Sequence, residues 1–250
     1  MGQSPMMTAP TANATAANQL VVAGNACGPT ALLNAFRFGN DSWHRATTTL
    51  TGSSDRQLIG QIIRNYGMRP SNHIKSRPRW SRKGVNLADL TDIANEMTRG
   101  QYLPQLSQEI LFRRPRESPE DLLRRAHQRM VVSLKKGLPP LVSLRRYANR
   151  RAANSNAMNW VILDAHFVTL ISLPAKLDRG ANAFAVKYID PWGGEISDGQ
   201  IRISGRPVLA SQTALTPCLE ADFPAAQVGR KLVRPGETHA LTIAAALGRW

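Results

Sequence analysis

Cys27 is the residue of this sequence whose surroundings suit chemistry best. It lies in residues 24–30, GNACGPT, directly before the apolar run ALLNAF, which is typical of a helix. The positive end of a helix dipole favours a thiolate over a thiol, and the thiolate is the nucleophilic form of cysteine. We therefore expect Cys27 to begin a helix and to act as a nucleophile.

A histidine and a carboxylate downstream could complete a catalytic group with Cys27. His166 opens an apolar, strand-like run, and such a base must reach the thiol to form a thiolate–imidazolium pair. Asp190 ends the next strand-like run. If these two strands pair antiparallel, its carboxylate can hold the second ring nitrogen of His166 and stabilise the charged ring. Asp164, two residues before His166 and on the same strand face, is the alternative carboxylate.

The elements that must position these residues follow a simple order along the chain. A first helix is predicted from Cys27 to about Phe38, where glycine and asparagine end it. Three further amphipathic helices have polar residues that can cap their first turns, namely Ser54, Asn86 and Ser118. Strand-like runs then follow over residues 141–147, 166–173, 183–190 and 200–203. Helices first and strands afterwards predict an α+β fold with segregated layers.

The three motifs together resemble the papain-like cysteine peptidases, and they are most similar to the bacterial double-glycine, bacteriocin-processing branch. In that family a Cys-Gly-Pro helix start, a strand-opening His and a strand-ending Asp-Pro supply nucleophile, base and orienting acid. Cys27 and His166 are 139 positions apart, within the roughly 130–150 typical of the family. The resemblance implies a papain-like α+β fold, with the nucleophile helix in an N-terminal helical part packed on a C-terminal antiparallel sheet. It also implies a peptidase that cleaves a peptide or protein through Cys27, His166 and Asp190 without a cofactor.

The sequence departs from this family at the position that binds the oxyanion. The family usually places a glutamine six positions before the cysteine, and Val21 occupies that position here. Gln19 and Asn25 are the candidates to replace it, beside the backbone N–H of Cys27. Because the loss of one oxyanion donor costs on the order of 10²–10³ in rate, we expect weakened activity if neither residue does so.

The chain divides into three predicted parts. Residues 1–18 are rich in Ala, Thr and Asn and predict a disordered lead-in, residues 19–204 the catalytic domain, and residues 205–250 a C-terminal extension packing on the same domain. That extension has a weak helix signal over residues 238–247. The sequence contains no run of about 18 apolar residues, so no transmembrane helix is predicted. Residues 1–20 lack the pattern of an intact signal peptide. Secreted, periplasmic and cytoplasmic locations in a bacterium stay open, as does the oligomeric state.

The charge of the chain is strongly positive, with a formal net charge of +15. Such an excess raises the affinity for polyanions, so the arginine clusters are candidate contacts for a polyanionic partner. Aromatic residues are sparse near these clusters, which argues against a single-strand nucleic-acid platform. The clusters lie at residues 113–116, 124–125, 145–146 and 150–151.

The remaining cysteine and histidines predict no second site. Cys218 is expected to be a semi-buried thiol, because a bridge between Cys27 and Cys218 would block the nucleophile. His127 is expected on the surface of the fourth helix. The histidines outside the motif show no spacing typical of metal ligands, and we predict no metal site from His44, His73, His127 and His239.

Two alternatives to hydrolysis remain at this point. An acyltransferase or transpeptidase, similar to phytochelatin synthase, would use the same three residues to pass the acyl group to an amine or a thiol. A basic binding or toxin-like module would instead keep the three residues as a remnant and bind polyanions through its charge.

Overall fold

The computed structural model describes residues 4–151, 158–205 and 218–250. The α-helices of this part are α1 (Cys27–Arg37), α2 (Asp41–His44), α3 (Asp55–Ile62), α4 (Leu87–Arg99) and α5 (Pro119–Lys135). Its strands are β1 (Met6–Thr8), β2 (Trp80–Ser81), β3 (Gly84–Val85), β4 (Ser107–Ile110), β5 (Leu141–Arg151), β6 (Met158–Pro174), β7 (Ala183–Asp190), β8 (Glu195–Ile203), β9 (Leu219–Asp222) and β10 (His239–Gly248). In these residues, no helix combines the length and the apolar character needed to span a membrane.

Six strands form a closed antiparallel barrel in the order β6-β5-β10-β9-β8-β7, and β7 pairs again with β6. Two extra strands extend it, since β1 pairs with β6 and β4 pairs with β10. About 29% of the structure is helical. The prediction of a papain-like α+β fold, with a helical part packed on an antiparallel sheet, is therefore wrong.

The reason for this error lies in the C-terminal tail. The last strand, β10, is the central partner of β5 and β9, although its sequence gives only a weak helix signal. All of its residues except His239 are buried, so its sequence lacks the apolar–polar alternation that marks a half-exposed strand. The strands other than β9 and β10 would suggest an open sheet. Strands β9 and β10, from the C-terminal tail, join β5 to β8 and close the barrel.

The N-terminal segment also differs from its prediction as a disordered lead-in. Strand β1 pairs with the end of β6, with Met7 opposite Leu173. Farther on, the backbone N–H of Ala17 donates to Asn34 Oδ1 in α1 at 2.6 Å. Small alanine side chains fit closely against neighbouring elements, and Ala9 and Ala17 are buried. The amino-acid composition indicated disorder here because composition carries no information about backbone pairing with distant strands.

The predicted helix starts are confirmed. Ser54 and Ser118 each form a capping box with the side chain three residues later, and the Asn86 side chain caps α4. The first helix ends at Arg37, with Phe38 as its C-cap, close to the predicted end at about Phe38. Helix α3 ends at Ile62 and continues as one turn of π-helix to Gly67. Local capping chemistry therefore fixes where these helices begin.

Helix α1 packs directly on β6, and this contact places the nucleophile beside the barrel. The buried hydroxyl of Thr169 in β6 donates to the Ala31 carbonyl in α1 at 2.8 Å. An apolar cluster surrounds this contact and includes Leu32, Phe36 and Phe167. Full burial of one such side chain contributes roughly 1.5–3 kcal/mol to stability. The start of α1 is therefore held rigidly against the strand that carries His166.

Candidate active site

His166 and Asp190 meet where β6 and β7 pair. The strands are antiparallel, with Thr169 opposite Ile189, so the end of β7 lies beside the part of β6 that carries His166. His166 Nε2 and Asp190 Oδ1 are 2.7 Å apart, and both side chains are buried. The same carboxylate oxygen accepts the Trp192 backbone N–H at 2.9 Å. The backbone of the turn after β7 thus fixes the Asp190 carboxylate, and the carboxylate orients the imidazole of His166.

Cys27 lies on the other side of the His166 ring. It is the first residue of α1, whose N-terminus has no side-chain cap, and its buried thiol lies close enough to His166 to raise the pKa of that histidine. Because Asp190 takes Nε2, Nδ1 is the ring nitrogen left for the sulfur. The structure therefore brings together the three residues that the sequence predicted as nucleophile, base and orienting acid.

The charge state of His166 follows from these neighbours. Burial lowers the pKa of His166, because the charged ring loses water, but the negative charge of Cys27 and the hydrogen bond with Asp190 outweigh it and raise that pKa to about 10. A protonated ring next to the sulfur favours the thiolate. The arrangement therefore keeps the His166 ring protonated at neutral pH, beside the Cys27 sulfur.

Gln19 is the better placed of the two candidates for binding an oxyanion. Its side chain is buried at the cleft, and its Oε1 has no hydrogen-bond partner among the described residues, so the amide group is not tied to a neighbouring element through that atom. Its backbone N–H donates to the Pro191 carbonyl at 2.8 Å, so the turn after Asp190 also positions Gln19. Val21, at the usual position of the family glutamine, packs against the apolar cluster around α1 instead.

Asn25 occupies a different position from the one an oxyanion donor needs. Its side-chain oxygen accepts the Cys27 backbone N–H at 3.4 Å, and that N–H is itself a candidate donor to the oxyanion. The Asn25 backbone is held by Arg82, whose carbonyl accepts the Asn25 N–H at 3.0 Å, and by the Trp80 indole. Asn25 therefore supports the loop before Cys27 and leaves the Gln19 amide as the free side-chain donor.

An open cleft of about 550 Å³ reaches His166 and the loop that precedes Cys27. Gln19, Asn25 and His166 line its floor, and Trp192 contributes an exposed indole to its wall. The opposite wall consists of residues 227–232, between β9 and β10. The volume lies within the 300–1,000 Å³ typical of ligand sites. Sequence reasoning missed this wall because the tail carries no motif that points to the site.

Asp164, the alternative carboxylate, does not contact His166. Its two oxygens accept the backbone N–H groups of Ala165 at 2.8 Å and Gly229 at 2.9 Å. Gly229 has a φ of +59° and a Cβ there would come within 2.9 Å of the Asp164 side chain, so glycine is required at this contact. Asp164 therefore fixes the cleft wall and leaves the orientation of His166 to Asp190.

The other thiol and the helix histidine are both buried. Cys27 and Cys218 are not joined in a disulfide, so no bridge blocks the nucleophile. The prediction that His127 lies on the surface is wrong, because α5 packs that side against the barrel. His127 Nε2 donates to the Pro174 carbonyl at 2.8 Å, and burial lowers the pKa of this histidine.

A second polar group, which spacing in the sequence did not indicate, lies away from the cleft. His73, Asp89 and Asp92 offer oxygen and nitrogen atoms within 4.8 Å of one another. The protein already uses these atoms: Ser71 donates to Asp89 at 2.7 Å, and His73 Nε2 lies 3.2 Å from Asp92 Oδ2. The group therefore acts as a structural network at the start of α4.

Comparisons with known proteins add no relative to this picture. No protein-family model and no curated protein matches the chain. A catalytic group of this kind is recognised by geometry and roles, and it recurs on unrelated folds. The arrangement of Cys27, His166 and Asp190 is therefore the basis for a functional proposal.

Proposed function

We propose that this protein is a cysteine peptidase that hydrolyses a peptide bond through Cys27, His166 and Asp190. The observation that supports this most is the position of His166, whose Nε2 lies 2.7 Å from Asp190 Oδ1 and whose pKa is raised by the neighbouring buried Cys27. The closed barrel does not argue against the proposal, because chemistry belongs to the site and not to the fold.

The first half of the reaction forms a covalent intermediate. The Cys27 thiolate attacks the peptide carbonyl carbon, and the C=O electron pair moves to the oxygen. The Cys27 N–H and the Gln19 amide stabilise this oxyanion, after Asn25 gives up the N–H. His166 then gives its proton to the departing amine nitrogen, the C–N bond breaks, and a thioester remains on Cys27.

The second half returns the protein to its starting state. His166, now neutral, takes a proton from water that enters the place of the amine, and the water oxygen attacks the thioester carbon. The C–S bond breaks, the acid product leaves, and the thiolate–imidazolium pair forms again. Asp190 keeps the ring in one orientation through both steps and stabilises its charge.

Cleavage of a peptide library, followed by mass spectrometry, tests this proposal. Wild-type protein is expected to release products that the Cys27→Ala and His166→Ala variants do not release. Cys218→Ala is the matched control, since this second thiol is buried and remote from the triad, and it should retain cleavage. Full cleavage by Cys27→Ala protein would contradict the proposal. Transfer of the acyl group to an added amine, in place of water, would indicate the acyltransferase alternative.

A further inference from the structure

The cleft carries positive charges that the reaction does not use. Arg82, Arg230 and Lys231 line it with exposed side chains. Within the described residues, none of the three has a carboxylate at ion-pair distance. The acid among the described lining residues is Asp164, whose two oxygens are occupied by backbone N–H groups. The cleft therefore presents a net positive surface to whatever enters it.

These cations lie on two separate segments of the cleft lining, one between β2 and β3 and one between β9 and β10. Arg82 adjoins the nucleophile loop, because its carbonyl accepts the Asn25 N–H at 3.0 Å. Arg230 and Lys231 lie on the opposite wall, which is fixed to the strand of His166. The contacts that fix this wall are Asp164 with Gly229 and the buried Arg146, whose Nε donates to the Val228 carbonyl at 2.6 Å. The charges thus sit on two anchored segments of the cleft that His166 also lines.

We propose that this cleft selects acidic peptides, with Asp or Glu side chains on both sides of the bond that is cleaved. The inference rests on the proposed function and names the substrate class of the same site. A carboxylate before the bond and another after it would pair with the cations of the two walls. Exposed ion pairs are individually weak, at roughly 1.5- to 5-fold in affinity each, so the three cations together give about tenfold.

An acidic peptide fits these walls better than a nucleic acid does. A thiolate beside an oxyanion donor acts on an acyl carbon, and a nucleic-acid backbone offers none. Trp192 is the aromatic group among the described lining residues, too few for successive stacked bases. Outside the cleft, several arginines of the basic clusters are already paired with acids: Arg114 and Arg125 with Glu109, and Arg150 with Glu237.

Binding to the full-length Cys27→Ala protein tests the inference without turnover. The probes are a fluorescein-labelled decapeptide with glutamate at alternate positions and its glutamine counterpart, measured by fluorescence anisotropy at 50 and 300 mM NaCl. We expect the glutamate peptide to bind about tenfold tighter at low salt. Adding Arg82→Gln, Arg230→Gln and Lys231→Gln should remove most of this preference.

A control variant separates the cleft charges from the net charge of +15. Arg45→Gln, Lys135→Gln and Lys136→Gln remove the same three charges from exposed positions outside the cleft and should keep the preference. The inference is overturned if the two peptides bind equally. It is also overturned if both triple variants lose the preference for the glutamate peptide to the same extent. So does a single-stranded oligonucleotide that binds tighter than the glutamate peptide and loses binding in the cleft variant. Selective peptide binding without any cleavage by wild-type protein would instead contradict the proposed function.

Discussion

His166 Nε2 and Asp190 Oδ1 are 2.7 Å apart in a buried setting, and the second Asp190 oxygen has no partner among the described residues. The imidazole is therefore the main cationic partner of this carboxylate. Because Nε2 is occupied, Nδ1 is available to the Cys27 thiol. One hydrogen bond thus determines both the orientation of the base and the nitrogen that serves the nucleophile.

Asp190→Asn should lower kcat/KM by about 10²–10⁴ while the protein remains folded. The amide keeps the shape of the carboxylate but removes the charge that stabilises the protonated ring, and it can hold the wrong tautomer. Steady-state kinetics and a thermal unfolding scan check this. Asp164→Asn is the matched control: it alters the other carboxylate near His166, which does not touch the ring, and should cost far less in kcat. Equal losses in the two variants would contradict the assignment.

Gln19→Ala should lower kcat by on the order of 10²–10³, because it removes one oxyanion donor. Asn25→Ala should lower it less than tenfold, since the Asn25 oxygen accepts the Cys27 N–H and the substrate must displace it. Comparison of kcat for the two variants decides between the candidates. A larger loss in Asn25→Ala would assign the oxyanion to Asn25 instead.

Thr169→Val should separate positioning from chemistry. The change removes the hydroxyl that ties β6 to the Ala31 carbonyl of α1, at a net cost of about 1 kcal/mol in the free energy of unfolding. We expect kcat/KM to fall about tenfold, because Cys27 and His166 lose their fixed separation. Thr169→Ser, which keeps the hydroxyl, should restore the rate. Unchanged kinetics with reduced stability would show that the contact is only structural.

The stability of the wild type should fall as the pH rises from about 6.5 to about 10. Stability from the raised pKa of His166 is fully present below about 6.5, the unfolded value, and is lost as the pH rises through about 10. Urea unfolding at pH 8.5, 9.5 and 10.5 should show the decline in wild type and a weaker one in His166→Ala. Parallel curves would argue against the ion pair.

Local signals in the sequence predicted much of the site but not the fold that holds it. Cys27 at a helix start and the caps at Ser54 and Ser118 depend on neighbouring residues, so they could be identified from short segments. Chain order and antiparallel pairing were enough to predict that Asp190 lies beside His166. Closure of the barrel depends on β10, whose uniform burial removes the periodic signal.

Non-local geometry also explains what was missed within the site. Gln19 and Val21 are two residues apart, and only the contact of Gln19 with the turn at Pro191 shows which one faces the cleft. The cleft wall at residues 227–232 lies more than 60 residues from His166 in sequence, and the contact of Asp164 with Gly229 brings it there. Such contacts join parts of the chain that are far apart in sequence, so no short segment predicts them.

The most direct test of the central claim is the rate of Cys27 alkylation by iodoacetamide between pH 4 and 9, followed by intact mass. The account predicts rapid labelling well below pH 8.5 in wild type and a shift to the free-thiol range, about 8.5, in His166→Ala. Cys218→Ala protein removes the second thiol from the measurement. Labelling that rises only near pH 8.5 and does not depend on His166 would contradict the account, because Cys27 would then be a structural cysteine.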